Sequence, residues 1–141
     1  MEPVQRPIDH CEKFIQMATR ADRYGQLESP DGYGHRTGDC GDTIDMYLSV
    51  QAEQIRMVTF TVDGCSNTVA CGNTVSYLME GRSLSDGWNL TPENVADFLE
   101  TLPEDHFHCA ELAVGAFYRA LTDYARRQKE RWKQPYPQKL R

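Results

Sequence analysis

The stretch Thr43–Cys65 reads "TIDMYLSVQAEQIRMVTFTVDGC" and decides the fold. Ile44, Met46, Leu48 and Val50 alternate with Thr43, Asp45, Tyr47 and Ser49. That period of two belongs to a strand with one buried face. After "QAEQ" a second run places Val58, Phe60 and Val62 on one face. So short a connection predicts an antiparallel hairpin. Matching the apolar faces requires paired residue numbers to sum to an even value near 104 or 106, which sets Met46 opposite Val58 or Phe60. The same register carries Cys40 to within about one residue of a position opposite Cys65, and directly opposed Cα atoms lie roughly 4.5–5.5 Å apart. Asp42 falls at that end of the hairpin too.

Outward from the hairpin the period becomes helical. Ser66 to Glu80 reads as a helix ended by Gly81. "LTPENVADFLETLP" reads as a short capped helix, with Thr91 as N-cap and Pro92 at its first position. The last helix runs from about Cys109 to Trp132, with Leu112, Ala113, Ala116, Phe117, Ala120, Leu121 and Tyr124 as its apolar stripe. Before the hairpin, Ile8 to about Tyr24 reads as a helix burying Ile8, Cys11, Ile15 and Ala18. Gly25 to Gly41 reads as a loop with five glycines that could hide an edge strand. "QPYPQKLR" reads as a disordered basic tail from about residue 134. The sum is one α+β domain over residues 1–141: a small antiparallel sheet of about three strands, packed on one face by helices in two layers.

The chain has 141 residues, enough for one domain, and 40% are hydrophobic, enough for a core. No run approaches the ~18 apolar residues of a membrane helix, and "MEPVQRPIDHCEKF" lacks the apolar region of a secretory signal. A soluble cytoplasmic protein is expected. Seven Lys or Arg against one Glu follow from Arg126 onward, so the net charge of −6 leaves −12 on residues 1–125. An acidic body repels nucleic-acid phosphates.

Five cysteines, an odd number without a signal peptide, argue against a disulfide framework and for metal or catalytic use. Cys40 lies in a polar loop, "TGDCGD", not in an apolar run. Cys65 opens one helix, and Cys109, with His108 beside it, opens another. Helix N-termini favour thiolates. Cys40, Cys65, Cys109, His108 and Asp42 are thus expected at one sheet end, a donor set suited to zinc or an iron–sulfur cluster. Taken singly, each has a structural reading: Cys65 as a small core residue, His108 as a surface or capping histidine, Asp42 as an acceptor for loop amides. Cys71 is about 240° around a helix from Cys65 and is read as core with Thr68, Val75 and Leu78. Cys11 is read as core, and His10, His35 and His106 as non-ligands.

The segments "CGD" at Cys40–Asp42, "GC" at Gly64–Cys65 and "HCAELA" at His108–Ala113, in this order, resemble the IscU/NifU-type iron–sulfur cluster assembly scaffold family. The resemblance covers roughly Ile8 to Tyr124. It implies that Cys40, Cys65 and Cys109 hold a nascent cluster, [2Fe–2S] first, or zinc. Asp42 would be the nearby carboxylate that keeps the site labile, and His108 a variable ligand. It implies no turnover enzyme but a scaffold that takes sulfur from a cysteine desulfurase and passes clusters to acceptor apo-proteins, as a homodimer or docked on the desulfurase. Of the two thiols expected to accept that sulfur, Cys109, with a helix N-terminus and His108 beside it, stands ahead of Cys40. "LPEDHF" lacks the Leu-Pro-Pro-x-Lys pattern of housekeeping members, so docking by the specialised Hsp70 chaperone is not implied. Two alternatives stand beside it: a static zinc protein, and an enzyme with Cys40 as nucleophile, His108 as base and Asp42 orienting it.

Overall fold

The computed structural model describes residues 10–133. Strand β2 is Thr43–Gln51 and β3 is Gln54–Asp63, preceded by β1, Gly32–Thr37. The sheet is antiparallel in the order β1-β2-β3. Met46 faces Phe60 and Leu48 faces Val58, the larger of the two expected sums, until a register shift between Ser49 and Val50. Ala52 and Glu53 form the two-residue turn, both at positive φ (55° and 64°), as a hairpin that follows strand twist requires.

Helices α1 (Glu12–Thr19), α2 (Ser66–Met79), α3 (Leu84–Gly87), α4 (Pro92–Leu99) and α5 (Phe107–Lys133) complete the chain, with a 3₁₀ turn at Glu104–His106 before α5. The inward faces of β2 and β3 supply Ile44, Met46, Leu48, Val58 and Phe60, all fully buried, against Cys71 and Val75 of α2 and Ala113, Ala116, Phe117 and Ala120 of α5. The α5 stripe matches the sequence pattern, although the helix starts two residues earlier. Thr91 caps α4, and Asn94 completes a reciprocal capping box. None of the described helices is long and apolar enough to cross a membrane.

Two expectations change. The glycine-rich segment is not only loop: its glycines alternate along β1, and a Cβ at Gly32 or Gly34 would overlap the backbone of α5 at Ala120 or Ala116. These glycines serve close helix–strand contact rather than a turn. Helix α1 buries Phe14 and Met17, while Ile15 is 52% exposed. The larger side chains claim the core face, and Ile15, one step round the helix, is left outside. Ile8 and the tail from 134 lie outside the described residues.

Candidate metal centre

The end of β3, the loop that enters β2, the start of α2 and the start of α5 meet at one end of the sheet. Thr43 pairs with Asp63, which places Asp42 beside Gly64 and Cys65. Cys65 is the N-cap of α2, but its side chain makes no capping bond. Asp42 instead binds the N-cap residue itself and a side chain one turn on. Its Oδ2 accepts the Cys65 amide at 3.3 Å and the Thr68 hydroxyl at 2.8 Å. A Cβ at Gly64 would overlap this carboxylate, so glycine makes the room.

Cys109, the third residue of α5, is buried. Its Sγ lies 3.9 Å from His106 Nδ1 and 3.7 Å from His108 Nε2. The ligand atoms of Cys65, His106 and Cys109 all fall within 4.8 Å of one another. Cys40 is exposed and lies outside that group. Its loop is tied by Gly38 N–H to the Asp42 carbonyl at 2.8 Å and turned by Gly41 at φ 95°. A small cavity of about 80 Å³ separates this loop from α5, with Arg36, Asp39, His108 and Glu111 in its wall. The larger groove, about 560 Å³ between α3 and the far half of α5, is lined by Trp88 and Trp132 and holds no thiol or imidazole.

Burial pushes the Cys109 thiol up to about 12; the Thr68 hydroxyl pulls against it, and Cys65 and Asp42 add to it. The helix N-terminus does not offset this, so in the empty protein Cys109 is a protonated, buried thiol. Cys40, by contrast, is an exposed thiol. Burial works against the Asp42 carboxylate as well, but the bonds from Thr68 and Cys65 outweigh it and hold its carboxyl below the usual range.

The family model described as NifU-like N terminal domain matches residues 12–131. The chain belongs to this family. Iron-sulfur cluster assembly scaffold protein IscU 1 of Archaeoglobus fulgidus is 31% identical over 105 residues, 73% of this chain and 68% of that protein. Nitrogen fixation protein NifU of Nostoc sp. is 24% identical over 125 residues, which span 82% of this chain and 42% of that longer protein. The crystal structure of a NifU-like protein (N-terminal) from Brucella abortus superposes with a TM-score of 0.66 at 16% identity, covering 82% of this chain and 94% of that one. At that identity the likeness concerns the fold.

In this NifU-like domain two thiols and an imidazole converge, a soft donor set that fits zinc or iron. Tetrahedral zinc needs Zn–S near 2.3 Å and Zn–N near 2.0–2.1 Å, within a small contraction of the observed group. His106, read from sequence as a non-ligand, is the imidazole that joins it; the 3₁₀ turn folds it back towards Cys109. The signal available in the sequence was its position three residues before Cys109. His108 flanks the same sulfur from the other side. Thr68 was missed as well, since a helical threonine carries no motif. Cys71 is fully buried, as expected. Cys11 packs at the edge of the core as the half-buried N-cap residue of α1, and its thiol donates to the Leu99 carbonyl at 3.1 Å. His10 and His35 are engaged elsewhere, with Thr101 and Asp45.

Proposed function

We propose that this domain is a scaffold on which an iron–sulfur cluster, of the [2Fe–2S] type, is built and from which it is passed on. The observation that carries the reading is the convergence of Cys65 and Cys109 with His106, next to Asp42 and the loop that presents the exposed Cys40. Iron and sulfide are the cargo here. Cys65, Cys109 and Cys40 would hold it, and His106 or His108 would take the remaining position. The names of the Archaeoglobus and Nostoc relatives support the same reading.

The arrangement suits transfer. A ligand on a loop can leave without unfolding anything, whereas Cys65 and Cys109 sit on packed helices. Asp42 adds negative charge beside the thiolates, which works against a second long-lived anion. Sulfur would come from a cysteine desulfurase through the exposed Cys40 thiol. The products would be acceptor apo-proteins, reached from a single domain, alone or as a homodimer, in the reducing cytoplasm that keeps the five thiols free. No turnover catalysis is needed. The nucleophile reading loses ground because His108 stands against buried Cys109 rather than Cys40.

A static zinc protein is the second reading, since two thiols and an imidazole also suit zinc. Anaerobic reconstitution with iron and sulfide separates them. The scaffold develops visible cluster absorbance and loses it to an added apo-ferredoxin; a static zinc protein does neither.

A further inference from the structure

The groove between α3 and the far half of α5 lies apart from the metal centre and is built from aromatic surface. One face of α5, from Leu121 through Tyr124 to Trp132, lines one side, and Leu84 and Trp88 line the other. Trp88 rests on the Tyr118 ring, 5.9 Å between centroids, and is still 47% exposed. Trp132, in the last turn, is 84% exposed. Beyond Tyr124 the side of α5 away from Gln128 is open to solvent, so no core explains an indole there. Two exposed indoles on one groove mark a recognition surface. The ends of the groove differ in charge. Burial pushes the Tyr124 phenol up, Glu53 and Asp31 add to it, and Arg131 pulls against it. Acids thus gather beside Tyr124, where Glu53 of the hairpin turn lines the groove, while Lys129 and Arg131 belong to the Trp132 end.

Residues 134–141, "QPYPQKLR", lie outside the described residues and follow directly on the Trp132 end. Their composition suits the groove. Pro135 has no amide to continue a helix and disfavours the helical conformation in the residue before it. Pro135-Tyr136-Pro137 favours the extended polyproline conformation, the one that aromatic-lined grooves accept. Lys139 and Arg141 come after it. The helix rises ~16 Å between Leu121 and Trp132, whereas residues 134–141 in polyproline form reach ~25 Å. A chain reversing at Gln134 and Pro135 therefore brings its two cations to the acidic end. We propose that Gln134–Arg141 folds back along α5 and docks in the groove of its own chain, with the Pro-Tyr-Pro stretch on Trp132 and Trp88 and the cations beside Glu53 and Asp31. Being tethered two residues from Trp132, the segment is held at high effective concentration, so a contact weak in isolation suffices. Once seated it ties the outer turns of α5 to α3 and the hairpin turn. The inference is independent of the cargo reading.

The chain has two tryptophans, and both line the groove. Tryptophan fluorescence of the metal-free full chain therefore reads the seat directly. Tyr136→Ala/Pro137→Gly should shift the emission to the red and steepen its quenching by acrylamide. The free peptide QPYPQKLR should restore the wild-type emission when added to that variant and leave the wild type unchanged, since its groove is filled. Lys139→Glu/Arg141→Glu should also expose the indoles, and adding Glu53→Lys to it should recover part of the shielding, which a loss of mere bulk would not. Emission and quenching unchanged in Tyr136→Ala/Pro137→Gly overturn the proposal. So does a variant that the peptide fails to restore, or a charge reversal that Glu53→Lys does not relieve. Wild-type shielding that falls on dilution overturns it too, because the occupant would then be the same segment of a second copy.

Discussion

The two ends of α2 are each held by a carboxylate, and the two are held differently. At the C-terminus, Glu80 is the C-cap residue. Its Oε2 accepts Arg23 Nε at 2.6 Å, the Val58 amide at 3.0 Å and the Ser76 hydroxyl at 3.0 Å, while Oε1 accepts Arg23 Nη2 at 2.9 Å. At the N-terminus, Asp42 is held by the Thr68 hydroxyl, the Cys65 amide and the Cys65 and Cys40 thiols, with no cation among these partners. The helix dipole explains the asymmetry. An acid at a C-terminus faces partial negative charge and needs a cation; an acid at an N-terminus is already favoured. Glu80 is thus neutralised and bolted between α2, β3 and Arg23. Asp42 keeps an uncompensated charge and turns it towards the thiols. One end of the helix is built for stability, and the other leaves charge available to the site.

The largest effect expected from this contrast is on metal retention. Cys65→Ser and Cys109→Ser should each weaken zinc binding by about two orders of magnitude or more, since losing even a supporting residue costs ~10–100-fold. Cys40→Ser should shorten cluster lifetime. Glu80→Gln should leave the zinc affinity of folded protein within about twofold. Competition against a chromophoric chelator measures the three zinc affinities and decay of visible absorbance the cluster lifetime, and a loss of zinc affinity in Cys71→Ser equal to that in Cys109→Ser would break the division between the two ends.

Stability should run the other way. Glu80→Gln leaves the half-buried Arg23 guanidinium without its counter-charge, and urea unfolding should show a loss of about 2–4 kcal/mol. Asp42→Asn keeps an acceptor and should cost about 1 kcal/mol or less. The reverse ranking would mean that Asp42 is the structural bolt.

Smaller effects appear with pH. Burial raises the folded-state pKa of Cys109 from an ordinary 9.0 to about 12. Its contribution is therefore intact below pH 9 and lost as pH climbs towards 12. Metal-free Cys109→Ala should show a flatter alkaline limb in thermal melts. Smallest is the acid limb. Burial opposes the Glu80 carboxylate, but Arg23, the Val58 amide and Ser76 outweigh it and hold its carboxyl below the ordinary 4.5. Asp42 is likewise held below 3.8. Both contributions are present above those ordinary values and lost as pH falls through the lower folded ones. Glu80→Gln should flatten that limb more than Asp42→Asn; equal flattening would erase the contrast.

Much of this was legible in the chain. The alternation Ile44–Met46–Leu48 revealed the hairpin and narrowed its register to two, either of which brings Asp42 towards Cys65. The α5 stripe was equally plain, because burial imposes a period and periods can be read. The rest depends on contacts that leave no period. The glycines of β1 were read as loop because sequence does not show the α5 backbone they admit. His106 reaches Cys109 only through a 3₁₀ turn, which has too few residues to announce itself. Arg23 and Glu80 meet across 57 residues of chain, and nothing local to either predicts the other. Cys109 looked activated because its helix start is visible in the sequence, whereas its burial is not.

Cys40, Cys65 and Cys109 come from three separate elements, 25 and 44 residues apart along the chain. A metal shared among them is then also a removable cross-link. It would fasten the loop before β2 to α2 and α5, closing loops that an unfolding chain would otherwise open. The loaded protein should melt higher than the empty one, and amide exchange should slow first in Gly38–Asp42. Giving up the cargo would loosen the same loop that accepts the next, so how firmly this end is knit records whether the protein is carrying anything.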